Sequence, residues 1–477
     1  MLFNSPGFVF GFMPVVLLVF FLLQRSGLSR FQTLFLFGAS LFFYGWWSVA
    51  YLPLLLFSIG VNYAFGQMLA RRPKKWLLAL AIGIDLALLG YFKYANFGAG
   101  IVGGLLGQDF ATHVILPLGI SFYTFTQIAY LVDSYQGKAV DRDPGRYGLF
   151  VTFFPHLIAG PILHHDEMTR QFRDFTWRRV TLLDLTVGAT AFSIGMCKKT
   201  VIADRYAPMV GDAFGAVAHG TSIGAGAAWA AVLGYTLQLY FDFSGYCDMA
   251  IGLSRMIGIR LPQNFNSPYK SASIAEFWTR WHMTLSRFLR DYLYIPLGGN
   301  RNGDTRSHVN VMITMLLGGL WHGAGWTFVL WGGLHGFYIV TGRLWNKWSN
   351  RHGVILPHLL GAGITFFFVV LAWVPFRSEN LHAAFDMFRM LSGGMGFGGG
   401  SAKSALLIGG GLALVWLMPN SQEMLARYRP VLSEISPPSL ALLEWRPTLP
   451  YAAAFAILLV VIVLFSNHVS EFLYFQF

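Results

Sequence analysis

Apolar runs near residues 8–24, 31–48, 49–70 and 76–92 follow one another with only short polar breaks. A helix that crosses a bilayer needs about 20 apolar residues, so these runs predict four closely spaced spans. Two further runs, near 114–132 and 147–163, are interrupted by Pro117, Gly119, Pro155, Gly160 and Pro161. One is expected to cross and the other to be re-entrant, because irregular backbone is tolerated at membrane depth only where protein buries it or it lines a cavity. Spans return near 181–203, 223–241, 309–321, 326–342, 355–376, 404–419 and 449–466, with a short apolar helix over 247–259. Between them, His164–Arg179 carries Arg170, Arg173, Arg178 and Arg179 and predicts a cytoplasmic loop or surface helix. The stretch 261–269 is rich in turn residues. Ser273 with Glu276 three places on predicts a capping box. The helix it opens, about 274–294, mixes aromatics with Arg280, Arg287 and Arg290 and reads as an interfacial amphipathic helix. The pattern predicts an all-α, polytopic membrane bundle of about twelve spans with re-entrant and interfacial helices. It fills one domain, residues 1–477.

Basic residues orient this bundle. Arg25, Arg30, the cluster Arg71–Lys75, Arg301, Arg306, Arg343, Lys347, Arg351, Arg427 and Arg429 fall between apolar runs. Positive loops stay in the cytoplasm, which places both termini outside. The first run has no basic residue before it and no small-residue cleavage site after it, so it reads as a retained span and not a removed signal.

Composition agrees. The chain is 55% hydrophobic and only 12% charged, where a soluble protein carries about 25% charged residues. The net charge of +12 would raise nucleic acid as a partner in a soluble protein. Here the basic residues sit mostly in short loops and one amphipathic stretch, so they read as topology signals and membrane-surface contacts. Cys197 and Cys247 make neither a disulfide framework nor a CxxC metal site. There is no Walker A loop, no GxGxxG after a strand and no HExxH, so no NTPase fold, metal or permanently bound cofactor is expected.

Chemistry concentrates in two places. The run Phe277-Trp278-Thr279-Arg280-Trp281-His282-Met283-Thr284-Leu285-Ser286 and the run Gly319-Leu320-Trp321-His322-Gly323 set histidines among tryptophans in an apolar chain. Ionisable groups at membrane depth are costly and point to function, and histidine is suited to moving protons near neutral pH. His322 is a candidate general base, with glycines around it that let a substrate approach the backbone. A histidine hydrogen-bonded between helices is the plainer alternative. Helical spacing puts Thr279, His282 and Ser286 on one face. For His282, a cap or interface role is the alternative. A zinc site from His282, His322 and His335 has only spacing in its favour. Tyr240–Asp248 carries Asp242 and Asp248 in an aromatic segment. Buried carboxylates must be paired, so Asp242 either holds a cation, orients a histidine or belongs to a packing network. His156, in a broken helix, stays undecided.

Together the runs FPHLIAGPI (154–162), YFDFSGYCDMAIG (240–252), LPQNFNSPY (261–269), FWTRWHMTLSRFLRDYLYIPLGGNR (277–301) and GLWHGAGWTFVLWGGLHG (319–336) resemble the membrane-bound O-acyltransferase family. The likeness is to its bacterial alginate O-acetylation branch, and the opening MLFNSPGFVF and closing FLYFQF share it. The resemblance implies that His322 is the catalytic histidine and His282 the second histidine. It brings Trp321, Arg280, Trp281, Ser286, Asp242 and Asn264 in as candidate substrate-binding residues. It also implies a helical bundle with a tunnel across the bacterial inner membrane and acetyl-CoA as donor. The receiver would be a periplasmic or membrane-tethered acetyltransferase acting on an exported polysaccharide such as alginate or cellulose. Two other functions stay open: D-alanyl transfer from a carrier protein, and a transporter or channel for a polysaccharide or anion.

Overall fold

Among the residues described in a computed structural model of the chain, every regular element is a helix. Those residues are all but 109, 111–113, 140, 174–178, 395, 397, 466–469, 471 and 474–477. Arg178 and most of the closing FLYFQF therefore lie outside the described residues.

The chain opens with a π-helical turn, Gly7–Phe12, that runs into α1 (Met13–Arg25). It continues through α2 (Gln32–Gly45), α3 (Leu52–Arg71), α4 (Lys75–Leu106), α5 (Ile120–Tyr135), α6 (Pro144–Thr152), α7 (His165–Arg173), α8 (Leu182–Cys197), α9 (Asp204–Ala218) and α10 (Ala225–Met256). Next come α11 (Ile274–Arg280), α12 (Met283–Leu289), α13 (Gly303–His322), α14 (Trp326–His352), α15 (His358–Arg377), α16 (Leu381–Leu391), α17 (Ala402–Leu417), α18 (Ser421–Met424) and α19 (Leu449–Phe465). Among the described residues, four helices are long and apolar enough to cross a membrane by length and composition: Gly7–Arg25, Val49–Arg71, Lys75–Leu106 and His358–Arg377. The protein is a membrane protein of helical architecture.

Local chemistry sets several helix ends. Asp143 caps α6 by accepting from the backbone N–H groups of Gly145 and Arg146, with Pro144 at the first helical position. Thr181 and Asp184 form the reciprocal capping box of α8. At α11 the expected box is incomplete. Ser273 accepts from Glu276 N–H, while the Glu276 carboxylate reaches back to the Ala272 N–H.

Three expectations change. The fourth span does not stop at residue 92 but runs as one helix of 32 residues to Leu106. The segments read as 223–241 and 247–259 are one helix, α10, also of 32 residues. Its polar residues do not break it because cations from the α8 side meet them. Lys199 lies 2.7 Å from Asp242, Lys198 2.6 Å from Asp248, and Arg255 of α10 2.6 Å from Asp184 of α8. Charges removed from water persist only in such pairs. Glycine lets the same two helices meet at backbone distance. A Cβ on Gly195 would stand 2.4 Å from the carbonyl oxygen of Gly245.

The third change concerns 274–294. It is not one surface helix. It breaks at Trp281–His282 into α11, α12 and a π-helical turn, Arg290–Tyr294. Phe277, Trp281, His282 and Leu285 are buried. Ala275, Thr279 and Arg290 are exposed and Arg280, Met283, Ser286 and Arg287 half-buried, so the segment is folded into the core along one side and is not an interfacial strap. Of the two runs with internal prolines, the second is buried irregular backbone, since α6 ends at Thr152 and residues 153–163 continue without helix yet stay buried. The first begins with a non-helical stretch, 114–119, in which only Pro117 is buried and Ile115 is exposed.

Candidate active site

The break between α11 and α12 places His282. Its backbone takes φ 42° and ψ 52°, a left-handed conformation that costs a residue with a Cβ about 1–2 kcal/mol. The turn is held chiefly by Asn264 of the Leu261–Tyr269 segment, with Asn266 N–H donating to the Arg280 carbonyl at 2.9 Å. Asn264 Oδ1 accepts from the Thr284 N–H (3.2 Å) and the Thr284 hydroxyl (2.9 Å), and its backbone carbonyl accepts from Met283 N–H (3.0 Å). Because Oδ1 is therefore the oxygen, His282 Nδ1, 3.2 Å away, must be its third donor. A neutral imidazole with its proton on Nδ1 keeps its lone pair on Nε2. Asn264 thus fixes both the tautomer and the orientation of His282. Its amide nitrogen donates to Cys247 Sγ at 3.2 Å, and Thr284 Oγ1 accepts from Ile162 N–H at 2.9 Å. Four of the sequence motifs meet at this knot.

His322 ends α13. The hairpin that carries it is drawn tight by glycines, since a Cβ on Gly319 would lie 2.2 Å from the carbonyl oxygen of Phe328 in α14. Its ring is packed by Trp331 (centroids 5.0 Å), Phe376 (5.3 Å) and Trp321 (5.0 Å). The rings of His322 and His282 stand 6.4 Å apart. Two residues of α4 hold the end of this helix from the side. Lys93 Nζ donates to the carbonyl oxygens of Trp321 and His322 and to Ser121 Oγ, and the Tyr94 hydroxyl donates to Leu320 O at 2.7 Å.

Two cavities flank the pair. The first, about 520 Å³, has His322, Trp321 and Lys93 in its wall with Trp46, Trp47 and Ser121. The second, about 700 Å³, is lined by Trp278, Thr279, Met283, Thr284, Ser286 and the cations Arg287, Arg290 and Arg343. His282 is buried, and the two residues that follow it, Met283 and Thr284, form part of that second wall. A neighbouring recess of about 560 Å³ shares Arg290 and Arg343 and adds His308 and Lys347. Arg287 is held by Glu167 through two bonds of 2.7 and 3.0 Å. The first cavity mixes aromatic and aliphatic side chains with Lys93 and His322, and the second mixes apolar side chains with arginines.

The expected site residues divide accordingly. His322 and Trp321 line the first cavity and Ser286 the second. Asn264 acts on His282. Trp281 is buried in an aromatic stack between Phe277 (5.6 Å), Tyr269 (5.8 Å) and Trp373 (5.1 Å) and faces neither cavity. Arg280 pairs with Glu276 at 2.8 Å and is in neither wall. Asp242 also lies away from both. Besides Lys199 it accepts from the Leu473 N–H at 3.0 Å, so it ties Leu473 to α10. Thr279 and Ser286 share the second cavity, but the break turns His282 off the face that straight-helix spacing assigned to it. His335 accepts from Trp278 Nε1 at 3.3 Å and His156 bonds the carbonyl of Phe150 at 3.0 Å, both as packing partners. Among the described residues no group of three His, Cys, Asp or Glu side chains is placed to hold a metal ion.

Sequence reasoning missed Lys93 and Tyr94. The signal was present, a lone lysine far from either end of an apolar helix, but the run was read as ending one residue before it.

Residues 143–378 match the model of the membrane-bound O-acyltransferase family. The chain is 43% identical to a peptidoglycan O-acetyltransferase of Helicobacter pylori over 82% of this chain and 80% of the relative. It is 44% identical to a probable alginate O-acetylase of Pseudomonas aeruginosa over 82% and 75%. A teichoic acid D-alanyltransferase of Bacillus subtilis is 28% identical over 57% and 71%.

Proposed function

Because the chain belongs to the membrane-bound O-acyltransferase family, in the branch of the alginate O-acetylases, we propose the particular transfer it carries out. It takes an acetyl group from acetyl-CoA at the cytoplasmic face of the inner membrane and delivers it outward. The receiver is a periplasmic or membrane-tethered acetyltransferase that modifies an exported polysaccharide such as alginate or cellulose. That the protein is an O-acyltransferase follows from the family. A bundle of about twelve spans with both termini outside would carry this passage.

The observation that carries the reading is the histidine pair, 6.4 Å apart, flanked by two cavities of unlike character. The second cavity offers three arginines to the phosphates of a donor and an apolar wall to its pantetheine arm. Positive loops belong to the cytoplasmic side, which is where acetyl-CoA is found. The first cavity then receives the acceptor. There His322 removes the proton of the acceptor hydroxyl as its oxygen attacks the thioester carbonyl. The carbon–sulfur bond breaks, and the thiolate leaves with that proton. Removing a proton in this way contributes about 10²–10⁴-fold. In the alternative route the imidazole nitrogen attacks the thioester carbonyl, the carbon–sulfur bond breaks and the thiolate leaves. The transient acyl-imidazole then passes the acetyl to the acceptor hydroxyl, whose proton protonates the thiolate. His282, its tautomer fixed by Asn264, positions the donor or the base.

Purified protein in nanodiscs tests the reading. Wild type should release free thiol from acetyl-CoA and His322→Ala should not. A wild type that leaves acetyl-CoA intact while accepting an acyl group from a carrier protein would move the reading to D-alanyl transfer, which the Bacillus relative keeps in view. Neither activity, with polymer or anion flux through the protein, would make it a transporter.

A further inference from the structure

Lys93 stands within the 32-residue apolar helix α4, where an ammonium is costly unless its charge is met. Its partners are neutral oxygens: Ser121 Oγ at 3.2 Å, the His322 carbonyl at 3.1 Å and the Trp321 carbonyl. These carbonyls belong to the last turn of α13. The final C=O groups of a helix have no partner within it and carry the negative end of its dipole, so a cation is the matching group. Tyr94, the next residue, takes the carbonyl before them. Three consecutive carbonyls, those of Leu320, Trp321 and His322, are therefore gripped from α4.

The helix's own backbone closes its end weakly, although packing against α14 holds its flank. Gly323 follows in extended conformation, φ −158°, and its N–H reaches Gly319 O at only 3.4 Å. No left-handed glycine closes the turn, as one does after α4 at Gly107, φ 65°. The residue at this loosely closed end is His322. Lys93 is also part of the wall of the first cavity, so the group that holds the helix end borders the space in which the acceptor would react.

We propose that Lys93 is a positioning residue for acyl transfer: its ammonium clamps the C-terminal carbonyls of the helix that bears His322, and so fixes the imidazole in the cavity wall. The proposal rests on the reading of His322 as the reacting base or acyl carrier. Misplacing a reacting group by an ångström costs about 10²-fold, so loss of the clamp is expected in turnover and not in donor binding.

The test compares Lys93→Met, which keeps length and loses charge, with Lys93→Arg and with Lys93→Cys alkylated by 2-bromoethylamine. The thiolate displaces bromide and rebuilds an ammonium at nearly the length of lysine. Wild type treated in parallel accounts for Cys197 and Cys247. For Lys93→Met at normal membrane abundance, kcat for thiol release should fall by about 10- to 100-fold with KM for acetyl-CoA within about twofold. Lys93→Arg should retain more activity than Lys93→Met, and alkylation should restore Lys93→Cys. A Lys93→Met enzyme with kcat within about threefold of wild type overturns the proposal, as does a well-expressed Lys93→Cys that alkylation fails to revive. Should the lysine variants not accumulate, Tyr94→Phe decides, since it removes one bond of the same grip and no volume. A kcat about two- to tenfold lower at constant KM supports the clamp, and an unchanged kcat refutes it. His322→Ala, scored by acetylation of the cell's own envelope polymer, separates the two failures. Full acetylation there strikes the site reading and the clamp together. Its loss there, with normal Lys93→Met, strikes the clamp alone.

Discussion

The rings of His282 and His322 lie 6.4 Å apart, although the first belongs to a strained turn between α11 and α12 and the second to the end of α13. No helical periodicity relates them. The pairing exists because Asn264 pins one turn and α4 holds the other helix end.

His322→Ala is expected to abolish polymer acetylation with membrane abundance unchanged, since loss of a general base costs about 10²–10⁴-fold. The checks are acetyl content of the exported polymer and immunoblotting of membranes. Activity above about a tenth of wild type would remove the residue from the chemistry.

His282 invites two substitutions that differ in backbone cost. His282→Ala loses the imidazole and keeps the left-handed strain at φ 42°, whereas His282→Gly loses the imidazole and relieves strain of about 1–2 kcal/mol. Both should be strongly impaired in turnover, and the glycine variant should be the more heat-stable in detergent. A glycine variant with wild-type specific activity would reduce His282 to a cap.

The Lys199–Asp242 pair predicts a stability effect without a chemical one. Both side chains are buried, and Asp242 holds Leu473 besides Lys199. Lys199→Met strands the Asp242 carboxylate, also takes a cation from Asp204 at 3.1 Å, and should cost about 3–5 kcal/mol, read as a lowered Tm. The double variant with Asp242→Asn should recover part of that loss. Specific activity per folded molecule should stay near wild type in both. A selective loss of turnover would return Asp242 to the list of working residues.

Gly319→Ala should prevent α13 and α14 from closing, because the added carbon would meet Phe328 O at 2.2 Å, a rigid backbone atom. Reduced accumulation in the membrane is the expected readout. Gly333→Ala on α14, whose nearest contact is a flexible Leu316 methyl at 3.7 Å, serves as the tolerated control.

The motif-bearing segments were legible in the chain because their chemistry is local: tryptophan beside histidine, turn residues in 261–269, and a capping serine at 273. What escaped has a physical cause in each case. Asp242 looked like a break in a helix because its cation, Lys199, comes from a different part of the chain. The turn at His282 could not be seen, since nothing in Arg280-Trp281-His282-Met283 forbids a continuous helix and bonds from the distant Asn264 and Asn266 reward the break. Arg280 and Trp281 were drawn in by the motif around them, yet one is held by Glu276 and the other by its aromatic neighbours. Lys93 was hidden by a habit of reading, in which a charge after an apolar run marks its end.

The knot at Asn264 has a genetic consequence. Ile162, Cys247, Asn264, His282 and Thr284 share a single set of hydrogen bonds, so damage at one already releases the others. Residues wired in this way do not lose function independently, and interaction energies of about 0.5–3 kcal/mol between neighbours are expected. Thr284→Val should therefore harm the wild type far more than it harms an Asn264→Ala strain. In a library of random variants, the segments that carry these residues should behave as a single unit of selection, although they are scattered along the chain.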